Sequence, residues 1–218
     1  MRNTKRILTT ISTAGLLFIL ITSCSSEMSF FETVKNRQSI RAYKSTPVPE
    51  KHILQIIDSA RLAPTSGNQQ PWKFIVVQDT SVIQKLKDVC IESRVATYQQ
   101  YFADKSEEEI RANAEKYYNS FLTAPVYIVV LTDNESKYPD YNHHDGPLAA
   151  GYLCLAARAL GYGTVYATDS VPVEVTKKIL NIPDQYTRVC LIPLGIPEEW
   201  PEKHEKNELE DFIIYESF

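Results

Sequence analysis

The most informative stretch of this sequence is Ala63-Pro64-Thr65-Ser66-Gly67-Asn68-Gln69-Gln70-Pro71-Trp72. It follows residues 50–62, whose apolar spacing between two prolines predicts an amphipathic helix, and it leads into a short β-rich run at residues 72–77. The small hydroxyl and amide side chains of the stretch carry donors that could meet a polar heterocycle. Because Pro, Gly and Asn also form turns, a plain turn explains the same residues.

Two arginines flank a serine in the segment Arg37-Gln38-Ser39-Ile40-Arg41. Side chains two residues apart lie on the same side of an extended chain, so Arg37, Ser39 and Arg41 would face together. Guanidinium groups with a hydroxyl between them suit the oxygens of a phosphate. An exposed basic loop accounts for the two arginines equally well, so both interpretations stand at this point.

A third segment, Leu160-Gly161-Tyr162-Gly163-Thr164-Val165-Tyr166-Ala167-Thr168, predicts a helix end that passes into a strand. Little side-chain bulk stands at the junction, so its backbone could approach a planar ligand edge-on. A helix C-cap alone also accounts for Gly161.

Periodicity predicts that the rest of the chain forms one α/β domain with about four strands between helices and no internal repeat. Helices are predicted at residues 81–92, 106–121, 145–160 and 173–180, and strands at residues 126–131, 163–167 and 189–194. The helix at 145–160 is apolar on nearly every side. It must therefore be covered all round, either by its own domain or by another subunit.

Composition and charge exclude several classes of protein. The 218 residues are 44% hydrophobic and 23% charged, as in an ordinary globular protein rather than a disordered or collagen-like chain. The formal charge is −4, and without residues 1–23 the balance becomes 20 basic against 27 acidic residues, or −7. A mildly acidic domain gains no counterion release from a polyphosphate, so we expect no nucleic-acid partner.

The amino terminus has the pattern of a targeting segment. Basic residues precede an apolar run at residues 7–21 that is shorter than the roughly 20 residues of a membrane-spanning helix. The run ends in Ile21-Thr22-Ser23-Cys24, which resembles a bacterial lipobox. We therefore expect residues 1–23 to be a lipoprotein signal peptide and Cys24 to carry the lipid, which would anchor the protein in the bacterial cell envelope on the periplasmic or surface side. An uncleaved anchor and a wrongly assigned start codon are the alternatives.

The remaining cysteines, Cys90, Cys154 and Cys190, fall in a predicted helix, a second helix and a strand. They are most simply buried thiols, since no C-x-x-C or Cys/His spacing indicates a metal. Ligand types cluster only at His143-His144-Asp145. Adjacent histidines would point to different sides, so this segment is interpreted as a loop and helix N-cap rather than a metal site.

In order and spacing, these motifs resemble those of the FMN-dependent nitroreductase family. The likeness includes Ala124-Pro125-Val126 before a central strand and Leu194-Gly195-Ile196-Pro197 near the end, and it runs from about Phe30 to Leu209. The resemblance implies an α+β fold, in which helices flank a mainly antiparallel central sheet, for a domain of residues 30–218. It also implies a homodimer that binds FMN at the subunit interface.

The resemblance also implies how each subunit would hold the cofactor. Arg37 and Ser39 would lie near the FMN phosphate and ribityl chain, and Arg41 near the pyrimidine edge of the ring. Many family members close the phosphate site with a Lys-x-Arg pair, whereas the nearest match here is His204-Glu205-Lys206. Lys206 supplies a point charge without the bidentate fork of an arginine.

Further contacts would come from the other two motifs. The backbone of Tyr166, Ala167 and Thr168 would face the flavin N5 edge. The resemblance also implies contacts to the FMN from the other subunit, made by Pro64, Thr65, Ser66 and Asn68. Gln70 is a further cofactor-binding candidate. The helix at 145–160 would form the interface, and an arm at residues 208–218 would complete the partner's sheet.

The resemblance implies that FMN carries the chemistry, so no side chain is assigned as a catalytic acid, base or nucleophile. The expected activity is ping-pong hydride transfer from NAD(P)H to nitroaromatic, quinone or related acceptors. A lipidated envelope protein would not normally meet cytoplasmic NADH or NADPH. The alternative is therefore a membrane-tethered flavin-binding protein or electron relay without nicotinamide turnover. Some relatives remove halogens reductively or cleave flavin, and the sequence favours neither.

Overall fold

The computed structural model of the protein describes residues 28–102, 104–121, 123–168 and 171–218. The predicted signal peptide at residues 1–23 and the predicted lipidation site, Cys24, lie outside these ranges. Both therefore stay predictions. Among the residues that are described, no helix combines the length and the hydropathy needed to cross a bilayer.

In these ranges the chain forms six α-helices and four strands. The helices are α1 (Phe30–Asn36), α2 (Glu50–Ala60), α3 (Thr80–Tyr101), α4 (Glu107–Phe121), α5 (Asn142–Ala159) and α6 (Val173–Leu180), and the strands are β1 (Trp72–Val77), β2 (Val126–Asp133), β3 (Gly163–Thr164) and β4 (Tyr186–Gly195). Short 3₁₀ turns lie at Ser66–Asn68, Pro139–Tyr141 and Leu209–Phe212.

The four strands form one sheet in the order β1-β2-β4-β3, and each neighbouring pair is antiparallel. Strand β2 is central and is buried on both faces, which is why it is a continuous apolar run. Its side chains alternate between two cores, with Ile128 and Val130 on one face and Val129 and Leu131 on the other. The antiparallel sheet between helices confirms the α+β fold.

The two faces of the sheet are covered by different helices. Helices α2 and α5 pack on one face, where Ile56 and Leu153 are fully buried. Helices α3 and α4 cover the other face, where Leu86 and Ala114 lie in the second core. Burying each large apolar side chain contributes about 1.5 to 3 kcal/mol, so these two layers fix the frame on which the site is built.

Two predicted elements differ from the structure. The helix expected at residues 81–92 continues to Tyr101, because the longer α3 pairs with α4 through Arg94, whose guanidinium lies 4.3 Å from the Tyr117 ring centroid. The strand expected at 163–167 is wrong beyond Thr164. After that residue the chain makes only an isolated bridge from Ala167 to Leu191.

Helix α5 has one buried and one exposed side within a single chain. Ala149, Leu153 and Ala157 are buried, whereas Leu148 and Tyr152 on the outer side are 44% and 43% exposed. Its own domain therefore does not cover it all round. The C-terminal residues 208–218 are also exposed and carry large apolar side chains. Both observations agree with the expected homodimer, which stays a prediction.

Candidate functional site

A basic cavity of about 490 Å³ lies beside the end of α1. Its lining includes four residues that the sequence proposed for binding the cofactor, and none of the described residues that line it is acidic. The four are Arg37, Ser39, Arg41 and Lys206. The structure thus gathers two segments that are far apart in the chain. That these residues contact a cofactor stays a prediction.

The segment from Arg37 to Arg41 is held extended by the sheet. The Ile40 N–H donates to the Thr164 carbonyl at 2.9 Å, which extends β3 by one bridge to Ser39. Ile40 is buried, whereas Ser39 and Arg41 are exposed. The alternation follows from the two-residue period of an extended chain and points both of these side chains outward together.

Gly163 permits this arrangement. A Cβ at that position would lie 2.6 Å from Ile40 Cγ1 and 2.8 Å from Pro197 Cγ. The glycine therefore allows β3 to pack closely against the two segments that wall the basic cavity. Gly161, in contrast, follows the end of α5 with a φ of 84° and has open space around it, as expected of a C-cap glycine.

The other wall of the cavity comes from the chain around Lys203. Its Nζ donates to Asn36 Oδ1 at 2.7 Å, which ties the wall to the end of α1. Lys203 lines the cavity together with Lys35 and His204, and none of these three was predicted. The sequence offered one signal for Lys203, since it lies three residues before Lys206, beside the segment that replaces the family's Lys-x-Arg pair.

The charges in this cavity suit a dianion. In the part of the chain that the structure describes, Arg37, Arg41 and Lys206 form no ion pair. Uncompensated cations repel one another unless an anion lies among them. Arginine supplies a bidentate fork and lysine a point charge, the two usual ways of holding a phosphate. The residues present therefore fit the phosphate of FMN.

The stretch from Pro64 to Gln70 lies elsewhere in the same chain. The Ser66 N–H donates to Asp145 Oδ1 at 3.1 Å, and the Gln69 Nε2 donates to Asp145 Oδ2 at 2.7 Å. These bonds hold the stretch on the first turn of α5, and none of its residues lines the basic cavity. The structure therefore does not bring Pro64, Thr65, Ser66, Asn68 or Gln70 together with Arg37 within one subunit.

The segment from Tyr166 to Thr168 is committed largely to the sheet. Ala167 exchanges both backbone hydrogen bonds with Leu191, at 3.1 and 2.8 Å. The Thr168 carbonyl accepts from Arg188 Nη2 at 2.5 Å. The Ala167 N–H and carbonyl and the Thr168 carbonyl thus already have partners within the protein, so fewer backbone groups of this segment can bind a ligand.

Tyr166 faces a second, separate cavity of about 510 Å³, which also has His143 and Thr187 in its lining. Partial burial raises the pKa of Tyr166 to about 12, so the phenol stays protonated near neutral pH. The side chain therefore lies away from the basic cavity, and only the backbone of this residue remains as the predicted contact.

The His143-His144-Asp145 segment was predicted to be a loop and helix N-cap, but the structure places it inside helix α5. Helix α5 begins at Asn142, with Tyr141 at the N-cap and no capping side chain, so the N-cap assignment is wrong. The two imidazole rings do not point to different sides, since their centroids are 3.8 Å apart. Within the described ranges, His, Cys, Asp and Glu side chains form no cluster of three that could hold a metal ion.

The three cysteines are buried free thiols, as predicted. Cys90 lies in α3, Cys154 in α5 and Cys190 in β4. Burial raises the pKa of each thiol, and that of Cys90 reaches about 12. Because the thiolate is the reactive form, none of the three is a nucleophile at neutral pH.

The fold is an α+β domain, and its basic cavity has the charge that suits an anionic group. A profile of the nitroreductase family matches residues 34–196, three quarters of the chain. The chain therefore belongs to the nitroreductase family, as its motifs indicated.

Individual relatives bear different names. A protein of Methanothermobacter thermautotrophicus, provisionally named NADH dehydrogenase/NAD(P)H nitroreductase, is 31% identical over 181 residues, which are 81% of each chain. An iodotyrosine deiodinase of Thermotoga neapolitana is 26% identical over 188 residues, which are 86% of this chain and 98% of the relative. A crystal structure of oxidized iodotyrosine deiodinase bound to FMN and 3-iodo-L-tyrosine superposes with a TM-score of 0.70 at 24% identity, over 87% of this chain and all of that one.

Proposed function

We propose that this nitroreductase-family chain is an FMN-dependent oxidoreductase. One observation carries the proposal: Arg37, Ser39 and Arg41 share a cavity with Lys203 and Lys206, and none of the described residues in its lining is acidic. The family to which the chain belongs and the FMN-bound relative of the same fold support the identity of the anion.

The chain's own residues would bind and tune the cofactor. Arg37, Ser39, Lys203 and Lys206 would hold the phosphate by charge-assisted hydrogen bonds. Arg41 would place a positive charge at the pyrimidine edge, where it stabilises negative charge that develops on reduction. When bound, FMN takes up a hydride from a donor and passes the electrons on to an acceptor.

The electron donor that we propose is NAD(P)H, and the acceptors are nitroaromatics, quinones or related compounds. The archaeal relative's name, NADH dehydrogenase/NAD(P)H nitroreductase, supports this donor. The name of the deiodinase relative supports a halogenated phenol as another acceptor. An electron relay without nicotinamide turnover is the alternative for an envelope protein. Donor and acceptor would use one open face of the ring in turn, which gives ping-pong kinetics.

One absorbance experiment separates these possibilities. The purified full chain is given FMN, freed of excess, and titrated without oxygen with NADH, NADPH and finally dithionite. Bleaching of the flavin band by a nicotinamide supports the oxidoreductase, and bleaching by dithionite alone supports the relay. A protein that stays colourless after incubation with FMN would overturn the proposal. Reoxidation by menadione, a nitroaromatic or 3-iodo-L-tyrosine then ranks the acceptors.

We also propose that the protein acts as a homodimer. The stretch from Pro64 to Gln70 and the basic cavity do not meet within one subunit, and the outer face of α5 carries the exposed Leu148 and Tyr152. A second copy would bury that face and bring the two half-sites together. Sedimentation velocity of the full chain in detergent, with and without FMN, tests this, and a monomer at micromolar concentration would contradict it.

Finally, we propose that the mature chain begins at a lipidated Cys24 and is anchored in the cell envelope. The support is the sequence of residues 1–24 alone. Two or three acyl chains suffice for stable anchoring, at about 0.8 kcal/mol for each buried methylene. Mass spectrometry of the N-terminal peptide tests the assignment, and Cys24→Ser should release the protein from the membrane fraction.

A further inference from the structure

Asp145 is a buried carboxylate that the proposed chemistry does not use. It is 2% exposed and lies in the first turn of α5. Oδ1 accepts the Ser66 N–H at 3.1 Å, and Oδ2 accepts Gln69 Nε2 at 2.7 Å. A buried carboxylate is retained at little cost only where donors serve both oxygens, as they do here.

Gln69 extends this connection to a second element. Its Oε1 accepts the Tyr138 N–H at 2.7 Å, and its Nε2 also donates to the Tyr138 carbonyl at 3.1 Å. The loop of residues 64–70 is thereby fixed on two sides, by α5 and by the chain that precedes it. The Asp145 carboxylate and the Gln69 carboxamide make the hydrogen bonds that hold the loop in place.

The loop needs to be fixed because its backbone is strained. Gly67, Asn68 and Gln70 have φ values of 56°, 53° and 48°, and only the first of these residues adopts the left-handed region freely. Such conformations persist where surrounding contacts over-determine them, and they cluster at ligand sites. Without Asp145, the Ser66 N–H would lose its acceptor and Gln69 would keep only its bonds to Tyr138 and Asn142, so the loop would relax.

The hydrogen bonds also set which groups the loop presents outward. The Ser66 Oγ donates to Asp145 at 3.4 Å, so the lone pairs of this oxygen remain for a ligand. Asn68 Oδ1 accepts from Gln70 Nε2 at 3.1 Å, so the Asn68 amide presents its N–H donors. An acceptor beside a donor suits a heterocycle edge that alternates N–H and C=O groups.

We propose that Asp145 is a positioning residue, which holds residues 64–70 in the shape that binds the flavin without touching the flavin itself. The proposal rests on the proposed FMN binding. Asp145→Asn keeps the volume of the side chain. Its NH₂ group would face either the Ser66 N–H or the Gln69 Nε2 group, so one of the two hydrogen bonds is lost. The Kd of the full chain for FMN, measured by quenching of flavin fluorescence, should rise about tenfold or more, the effect of losing a hydrogen bond to a charged group.

Asp140→Asn is the matched control. This carboxylate lies five residues earlier, is exposed and makes no hydrogen bond among the described residues. Its removal should leave the Kd within twofold. Thermal unfolding of each FMN-free variant gives the global stability, and the Kd is measured well below that transition, where every variant is folded.

Gln69→Ala provides a second variant on a half-buried side chain, in case Asp145→Asn does not fold. It should raise the Kd in the same direction, and the double variant should show less than the sum of the two effects, because both act through one loop. Visible circular dichroism at saturating FMN is the readout that mere loss of stability would not move. Both variants should change the sign or amplitude of the flavin bands.

The outcomes separate the two proposals. A wild-type chain that binds no FMN overturns the proposed function. If the wild type binds FMN, the variant Asp145→Asn decides the second proposal, and Gln69→Ala takes its place where Asp145→Asn is unfolded. A variant that keeps both the wild-type Kd and the wild-type flavin spectrum overturns the positioning role of Asp145. A raised Kd with an altered spectrum, beside an unchanged Asp140→Asn, supports it.

Discussion

The Arg158 guanidinium lies 4.0 Å from the centroid of the Trp200 ring. Its Nε also donates to the Asn36 carbonyl at 3.0 Å, at the end of α1. Burial lowers the pKa of Arg158, but a guanidinium remains charged at any pH of interest. Helix α5 therefore holds the chain that carries Lys203 against α1, and with it one wall of the basic cavity.

Replacing Arg158 should consequently weaken FMN binding without removing any proposed FMN contact. For Arg158→Ala we expect a loss of about 1 to 2 kcal/mol in FMN binding, from a cation–π contact of about 0.5 to 1 kcal/mol and one hydrogen bond. Fluorescence titration measures it. Arg61→Ala is the control, since Arg61 lies on the surface and, among the described residues, forms its ion pair with Asp58 alone. Equal affinities for the two variants would show that the Trp200 contact does not shape the cavity.

Arg37 should contribute more, because it is proposed to touch the phosphate. We expect Arg37→Ala to weaken FMN retention by about 1.5 to 3 kcal/mol, the range for a hydrogen bond to a charged group. Arg37→Lys keeps the charge and loses the fork, so it should fall between the alanine variant and the wild type. Riboflavin, which has no phosphate, should bind all three proteins alike. Unchanged FMN affinity in Arg37→Ala would remove Arg37 from the site.

The sequence was sufficient for the fold where local pattern and burial agree. Strand β2 is an unbroken apolar run because both of its faces are covered, and Gly161 ends α5 through its positive φ. The motif from Arg37 to Arg41 was readable for a similar reason, since a two-residue period is local. These features depend on neighbours in the chain, which a sequence displays directly.

The sequence did not reveal features that depend on distant partners. Asp145 stands like an N-cap residue after two histidines, but its donors, Ser66 and Gln69, are 79 and 76 residues away. Lys203 is tied to the basic cavity by its hydrogen bond to Asn36, which lies 167 residues earlier. The strand predicted beyond Thr164 failed because β4 pairs with Ala167 by an isolated bridge, which hydropathy cannot signal.

Thiol chemistry should report on the N-terminal processing. Cys90, Cys154 and Cys190 are buried with raised pKa values, so they should not react with a disulfide reagent at pH 8 until the protein unfolds. A lipidated Cys24 is a thioether and does not react at all. The mature protein should therefore titrate no thiol when native and three in denaturant. One reactive thiol in the native membrane-derived protein would contradict lipidation.

The same thiols should make the fold sensitive to alkali. Their pKa values are raised in the folded state, so the unfolded chain loses protons first, from about pH 8.5, and stability falls as the pH rises. For Cys90 this window extends to about pH 12. Each such thiol removes about 1.4 kcal/mol of unfolding free energy per pH unit within its window. Urea midpoints between pH 7 and 10 measure this, and a flat profile would contradict it.

Two glycines of α5 should respond oppositely to the same substitution. A Cβ on Gly146 would lie 2.5 Å from Val189 Cγ2 and 2.9 Å from Thr132 Cγ2, whereas a Cβ on Gly151 meets nothing within 4 Å. The methyl groups of these β-branched strand residues cannot turn aside, so Gly146→Ala must push α5 off the sheet, at about 1 to 3 kcal/mol. Gly151→Ala should instead stabilise one subunit by about 0.5 to 1 kcal/mol through helix propensity. Urea unfolding of the two variants, in monomeric conditions, gives the comparison, and equal effects would contradict the close approach of α5 to β2 and β4.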